Sequence, residues 1–158
     1  MNITIKAFIQ NEAGLKIKNR HNEKTLEYLG SIELIAPYPF PYGFILETTT
    51  EDGDNVDCYI LTREKLKLGS IIECQPIGLL EVFENGELDH KAITVLPGEQ
   101  NISIDIAMKS IRVFIGYLSK QFPSTNFRVG DYLPVEAAID YIKRSSNPTP
   151  APTDAKHQ

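Results

Sequence analysis

The residues of this chain best suited to chemistry are the acids of one short turn, Asp52-Gly53-Asp54-Asn55-Val56-Asp57. Three carboxylates this close repel one another, by a few kcal/mol per pair at about 5 Å and an effective dielectric near ~20. A chain tolerates such crowding on a solvated loop or around a cation. Gly53 allows a tight reversal, so neighbouring carboxylates can converge. Magnesium suits such a set, because it takes one or two carboxylates and completes its shell with waters and phosphate oxygens. Calcium in an EF-hand does not: counting from Asp52, the fifth, sixth and twelfth places hold Val56, Asp57 and Arg63, where that loop needs an oxygen ligand, glycine and glutamate. The plain alternative is a solvated hairpin turn with incidental acids.

The charge balance points the same way. The 158 residues carry a net charge of -5, and Glu47 to Asp57 holds five carboxylates and no Lys or Arg. A polyanion groove needs the opposite sign, so nucleic acid is not an expected partner. No apolar run approaches the roughly 20 residues of a membrane span. The N-terminal alternation of polar and apolar residues does not resemble a signal peptide. The expected location is the cytoplasm. Cys58 and Cys74 fall inside expected strands and read as buried thiols, and no Cys/His spacing suggests zinc.

The elements that must position the acids are mostly strands. Ile3, Ile5, Ala7 and Ile9 keep period two. Further strands are expected at Leu15 to Lys18, Gly43–Glu47, Asp57–Leu61, Ser70–Ile77, Leu79–Phe83 and Lys91–Leu96, separated by turn residues such as Asn85-Gly86 and Pro97-Gly98. Pro37, Pro39 and Pro41 make Ile32–Pro41 an extended connection rather than a central strand. Ile104, Ala107, Met108, Ile111, Ile115 and Leu118 have helical spacing, and a second helix is expected from Pro134 with Val135, Ala138, Ile139 and Ile142 as its apolar stripe. Strands followed by two helices imply an α+β protein, here a small, closed or nearly closed OB-like β-barrel with two C-terminal helices. Residues 1–144 are expected to form one domain. Residues 145–158, rich in Pro, Ser, Thr and Ala, are expected to be a disordered tail.

The order of motifs is informative. Tyr38-Pro39-Phe40-Pro41-Tyr42-Gly43 precedes the acidic turn, and Asp89-His90-Lys91 follows it. This set resembles the soluble family I inorganic pyrophosphatases, whose signature is Asp-Gly-Asp-Pro-x-Asp after a Tyr-Pro-x-x-Tyr-Gly segment. Asn55 stands where that family has proline. The resemblance covers roughly residues 3–143 and is specific from Tyr38 to Pro97.

The resemblance implies magnesium-dependent hydrolysis of pyrophosphate to two phosphates by a metal-activated water, with manganese as a substitute. Asp52, Asp57 and Asp89 would bind metal, as would Glu84 at a position where the family has aspartate. Asp54 would be the general base. Lys16, Tyr42, Lys91 and Tyr117 would contact phosphate oxygens. A homo-oligomer, often a hexamer among bacterial members, is also implied. His90 should face away from Asp89 and Lys91 on a strand, and His21 and His157 need no role. Four further positions depart from the family: Gly30 replaces an arginine, Lys18 a glutamate and Leu118 a lysine, and Ala7 or Lys6 stands for an early glutamate. Lys18 or Arg20 could restore the lost positive charge. The departures leave open a weakly active or inactive homologue that binds metal and phosphate, or a hydrolase of another phosphoanhydride.

Overall fold

The computed structural model describes residues 3–99 and 101–148. Its strands are β1 (Ile5–Asn11), β2 (Ile17–His21), β3 (Tyr28–Glu33), β4 (Tyr42–Ile45), β5 (Asp57–Ile60), β6 (Ile71–Glu84), β7 (Glu87–Leu88), β8 (Lys91–Val95) and β9 (Phe127–Pro134). Two helices, α1 (Ile104–Gln121) and α2 (Val135–Ser145), flank β9. The pairings β1–β4, β4–β5, β5–β8, β8–β6 and β6–β1 close a ring of strands. Only β5–β8 is parallel. Closure leaves no open edge within the ring. β9 and the short β7 extend the long strand β6, while β2 and β3 form a separate two-stranded ribbon.

The ring closes because its strands bury both faces. Alternate residues serve two clusters. Cys58, Ile60, Leu79 and Ala92 pack with Ala138, Tyr141 and Ile142 of α2. Tyr59, Leu61, Leu80 and Ile93 pack with Ala107, Met108, Ile111, Phe114 and Ile115 of α1. Each large apolar side chain buried this way contributes roughly 1.5–3 kcal/mol. The start of α1 is capped by Ser103 Oγ, which accepts from Ile106 N at 3.3 Å, and Asp105 and Lys120 complement its dipole.

Several boundaries differ from expectation. The two strands expected at Ser70–Ile77 and Leu79–Phe83 are one strand, β6, with an irregular register between Pro76 and Gly78 where it pairs with β8. Gly78 is needed there because a Cβ would lie 2.2 Å from the Tyr132 hydroxyl. Strands β3 and β9 were not expected: both are partly exposed and lack a clean alternation. Cys58 and Cys74 are free buried thiols, as expected. The expected tail begins within ordered chain, since Ser145 closes α2 and Asn147 N donates to Glu47 O. Residues 149–158 lie outside the described residues.

Candidate active site

Asp57 and Lys91, the first residues of the parallel strands β5 and β8, lie side by side at one rim, and the Tyr42 side chain reaches them from the antiparallel β4. Asp57 opens β5 and is the register partner of Lys91, which opens β8. Tyr42 opens β4, two residues from the Phe44–Asp57 pairing. Asp89 lies two residues before Lys91 and therefore points to the same side. The Lys91 ammonium donates to Asp57 Oδ2 at 2.9 Å, Asp89 Oδ2 at 2.9 Å and the Tyr42 hydroxyl at 2.8 Å. Acids from two separate stretches of chain, the start of β5 and the segment before β8, are thus gathered around one positive charge.

A cleft of about 360 Å³ opens above this cluster. Asp52, Asp54, Asp57, Asp89, Glu84, Tyr42 and Lys91 all line it. Lys16 and Tyr117 do not line it. Lys16 is exposed just before β2, and Tyr117 is an exposed rim residue of α1 with the Lys120 ammonium over its ring. His90 faces away, as expected, with its Nδ1 against the Val82 backbone. His21 is not in a loop: it ends β2, packs on Phe8 and Tyr28, and lines the cleft.

Burial sets the electrostatics. It pushes the Asp57 carboxyl above the usual range, against the opposing pull of Lys91. Burial also acts on Asp89, but Lys91, with smaller help from Asp57 and Lys18, brings it below that range. Burial would lower the Lys91 ammonium, yet the charges of Asp57 and Asp89 and the Tyr42 hydroxyl raise it well above its ordinary value. Lys91 is therefore charged across the working range. Asp54 is raised by burial, then by Asp52 and Asp89. Asp52 is turned inward on its own loop, accepting from Thr50 Oγ1 and from Asp54 N.

One cleft residue was hidden in the sequence, and two others enter the sequence reading only as a source of compensating charge. Lys18 and Arg20 line the cleft from β2, and among the described residues neither forms an ion pair. Glu23, in the turn after β2, also lines it. Burial, followed by the charge of Asp57, raises its carboxyl to about 7. A polar turn residue carries no local pattern that would single it out.

The donor set fits a hard divalent cation. The ligands on offer are carboxylate oxygens, and a positive group already bridges Asp57 and Asp89. Among the described residues no three acidic, histidine or cysteine side chains converge as a ready-made cage. Magnesium does not require one, since it keeps several waters and binds through one or two carboxylates with phosphate oxygens.

A small closed barrel with two C-terminal helices defines an OB-like fold, here with an acidic, lysine-bridged cleft at its rim. The inorganic pyrophosphatase family model matches residues 8–147, and the chain belongs to that family. The inorganic pyrophosphatase of Aquifex pyrophilus is 32% identical over 117 residues, covering 68% of this chain and 66% of that protein. The soluble inorganic pyrophosphatase of Oryza sativa subsp. indica is 33% identical over 117 residues, covering 68% of this chain and 54% of its own length. The matched part thus spans just under two thirds of the first relative and about half of the second. A Helicobacter pylori inorganic pyrophosphatase structure has the same fold, with a TM-score of 0.81 and 21% identity over 90% of this chain and 91% of that one. An Anaplasma phagocytophilum structure described as an inorganic phosphatase gives a TM-score of 0.82 at 24% identity, covering 90% and 91%.

Proposed function

We propose that this chain hydrolyses inorganic pyrophosphate to two phosphates, with magnesium as cofactor and manganese as a substitute. The observation that carries the reading is the Lys91 ammonium shared by Asp57, Asp89 and Tyr42 at the rim of the cleft. Asp57 and Asp89 would hold the metal, with Asp52 joining once it turns from its own loop and Glu84 offering a further carboxylate from the end of β6. When bound, magnesium neutralises phosphate charge and acidifies water.

The chain's own residues supply the rest. Asp54 accepts the proton of the attacking water, and its raised pKa makes it a better base than an ordinary aspartate. The water oxygen forms a new bond to one phosphorus as the bridging P–O bond breaks, and the second phosphate leaves. Lys91 and Tyr42 orient phosphate oxygens from the rim. Lys18 and Arg20 neutralise the far end of the substrate from β2. Lys16 and Tyr117 stand outside the cleft walls and would reach substrate only through a movement of their side chains. A homo-oligomer, as large as a hexamer, and a cytoplasmic location belong to the same reading. No helix among the described residues is long and apolar enough to cross a membrane.

A second reading has its own support. Lys18 and Leu118 line the cleft where the family has glutamate and lysine, which would suit another phosphoanhydride. The test is phosphate release by purified protein from pyrophosphate and from a nucleoside diphosphate, with magnesium or manganese. Release from pyrophosphate that disappears in Asp54→Asn supports the first reading. Release from the nucleotide alone supports the second, and intact metal binding with no turnover on either points to a binding protein.

A further inference from the structure

The β2–β3 ribbon pairs with no strand of the barrel, and an isolated two-stranded ribbon is marginally stable in water. Yet it carries Lys18 and Arg20, which form one wall of the cleft, while the acidic turn forms another. Asn19 ties the middle of β2 to β1, its N–H donating to Asn11 Oδ1 at 2.7 Å and its Nδ2 to Gln10 O at 2.9 Å, and a second contact fixes the ribbon tip against the acidic turn.

Asn55, in the middle of the acidic turn, is 3% exposed and makes that contact through its N–H and its Oδ1. Its N–H donates to Glu23 Oε1 at 2.8 Å. Its Oδ1 accepts from the Lys24 ammonium at 2.6 Å. Its Nδ2 donates to Ile45 O at 2.9 Å, which ties the turn down to β4. The Lys24 ammonium has three donors, and they are matched by Asn55 Oδ1, Thr48 O at 2.9 Å and Thr49 Oγ1 at 2.9 Å. The ribbon tip is itself fixed: Asn22 Oδ1 accepts from Lys24 N at 2.9 Å and Thr25 N at 3.0 Å. This local turn presents Glu23 and Lys24 together. A proline at position 55 would have no N–H for Glu23 and no amide for Lys24.

We propose that Glu23, Lys24 and Asn55 form a clasp that locks the acidic turn to the ribbon tip, and thereby sets the gap between the carboxylate wall and the Lys18–Arg20 wall. They are positioning residues. The clasp is made of protein groups alone; its effect on substrate rests on the proposed function. A pyrophosphate must reach both walls at once, so a loose ribbon weakens binding before it alters bond breaking.

The test is Lys24→Met, which keeps the stem and removes the ammonium, read first by hydrogen–deuterium exchange on metal-free protein. Amides of residues 49–56 and 20–26 should exchange at least about tenfold faster, as expected for loss of hydrogen bonds to a charged donor. Amides of β1 and β5 should be unchanged. With pyrophosphate and magnesium, KM should rise by roughly tenfold with kcat within about twofold of wild type, and Lys24→Arg should restore part of both effects. Unchanged exchange in the two segments overturns the clasp. Equal acceleration in the barrel strands also overturns it, because the change would then be a general loss of stability. If wild-type protein releases no phosphate, the functional reading fails, and the exchange comparison alone decides the clasp.

Discussion

Arg20 stands directly across the β2–β3 ribbon from Gly30, the position where the pyrophosphatase family has an arginine. Residues directly opposite in an antiparallel pair share one face, with Cβ positions only about 5 Å apart. A guanidinium on residue 20 therefore starts from the same patch as one on residue 30. Gly30 has φ +119°, a conformation L side chains rarely adopt, so an arginine there would be strained. Arg20→Ala should raise the KM for pyrophosphate by about 10–100-fold, the worth of a charged hydrogen bond or two. Lys18→Ala should raise it less, because an ammonium lacks the bidentate fork. If neither variant changes KM, the positive charge lost at Gly30 is not recovered on β2.

How much of this was legible beforehand depends on whether a residue's role is local. The acidic turn, the Tyr-Pro segment and Asp89-His90-Lys91 are contiguous, so their chemistry could be read in order. The barrel strands were visible as short apolar runs bounded by turn residues, as strands buried on both faces should be. β3 and β9 were not, because Leu29, Ser31 and Arg128 leave their apolar pattern broken. The role of Glu23 was invisible for another reason. Its burial comes from the acidic turn 32 residues away, and nothing within the Asn22–Thr25 turn records that contact.

Glu23 should leave a mark on stability. Its folded-state carboxyl is raised from 4.5 to about 7, chiefly by burial and then by Asp57. An acid raised in the folded state holds its proton there while the unfolded chain releases it. Metal-free protein should therefore lose stability as pH rises through the window from 4.5 to about 7, and level off above it. The loss should be on the order of 1–2 kcal/mol, allowing for partial solvent access. Glu23→Gln should flatten that slope. Urea unfolding between these pH limits measures it, and an identical slope in the variant would show that other groups cause it.

Gly43 tests the barrel rather than the site. It follows Tyr42, and a Cβ there would lie 1.7 Å from Phe8 O. The clash is with backbone across the β1–β4 pairing, so no rotamer relieves it. Gly43→Ala should cost at least about 3 kcal/mol, and thermal unfolding should register it. Gly116→Ala, where nothing lies within 4 Å of the added Cβ, should be neutral or slightly stabilising, since alanine favours a helix over glycine by about 1 kcal/mol. Equal Tm values for the two variants would contradict the ring closure described here.

Lys91→Met asks whether Asp57 and Asp89 share a cation. In the native protein the ammonium sits 2.9 Å from an oxygen of each. Removing it leaves two part-buried carboxylates facing one another, and breaking such a group typically costs about 3–5 kcal/mol. The metal-free variant should therefore unfold well below wild type at neutral pH. Lowering the pH should narrow the difference, because Asp57, already pushed up by burial, loses the lysine charge that held it down and takes a proton more readily. Magnesium should narrow it too. A divalent ion placed between the same two carboxylates supplies the missing charge, so its stabilisation of the variant should exceed that of wild type at equal concentration. Turnover should still fall by at least about 100-fold, because Lys91 would no longer reach the phosphate oxygens from the rim. Should magnesium raise the Tm of both proteins equally, the two carboxylates do not hold one ion, and the metal must bind elsewhere in the cleft.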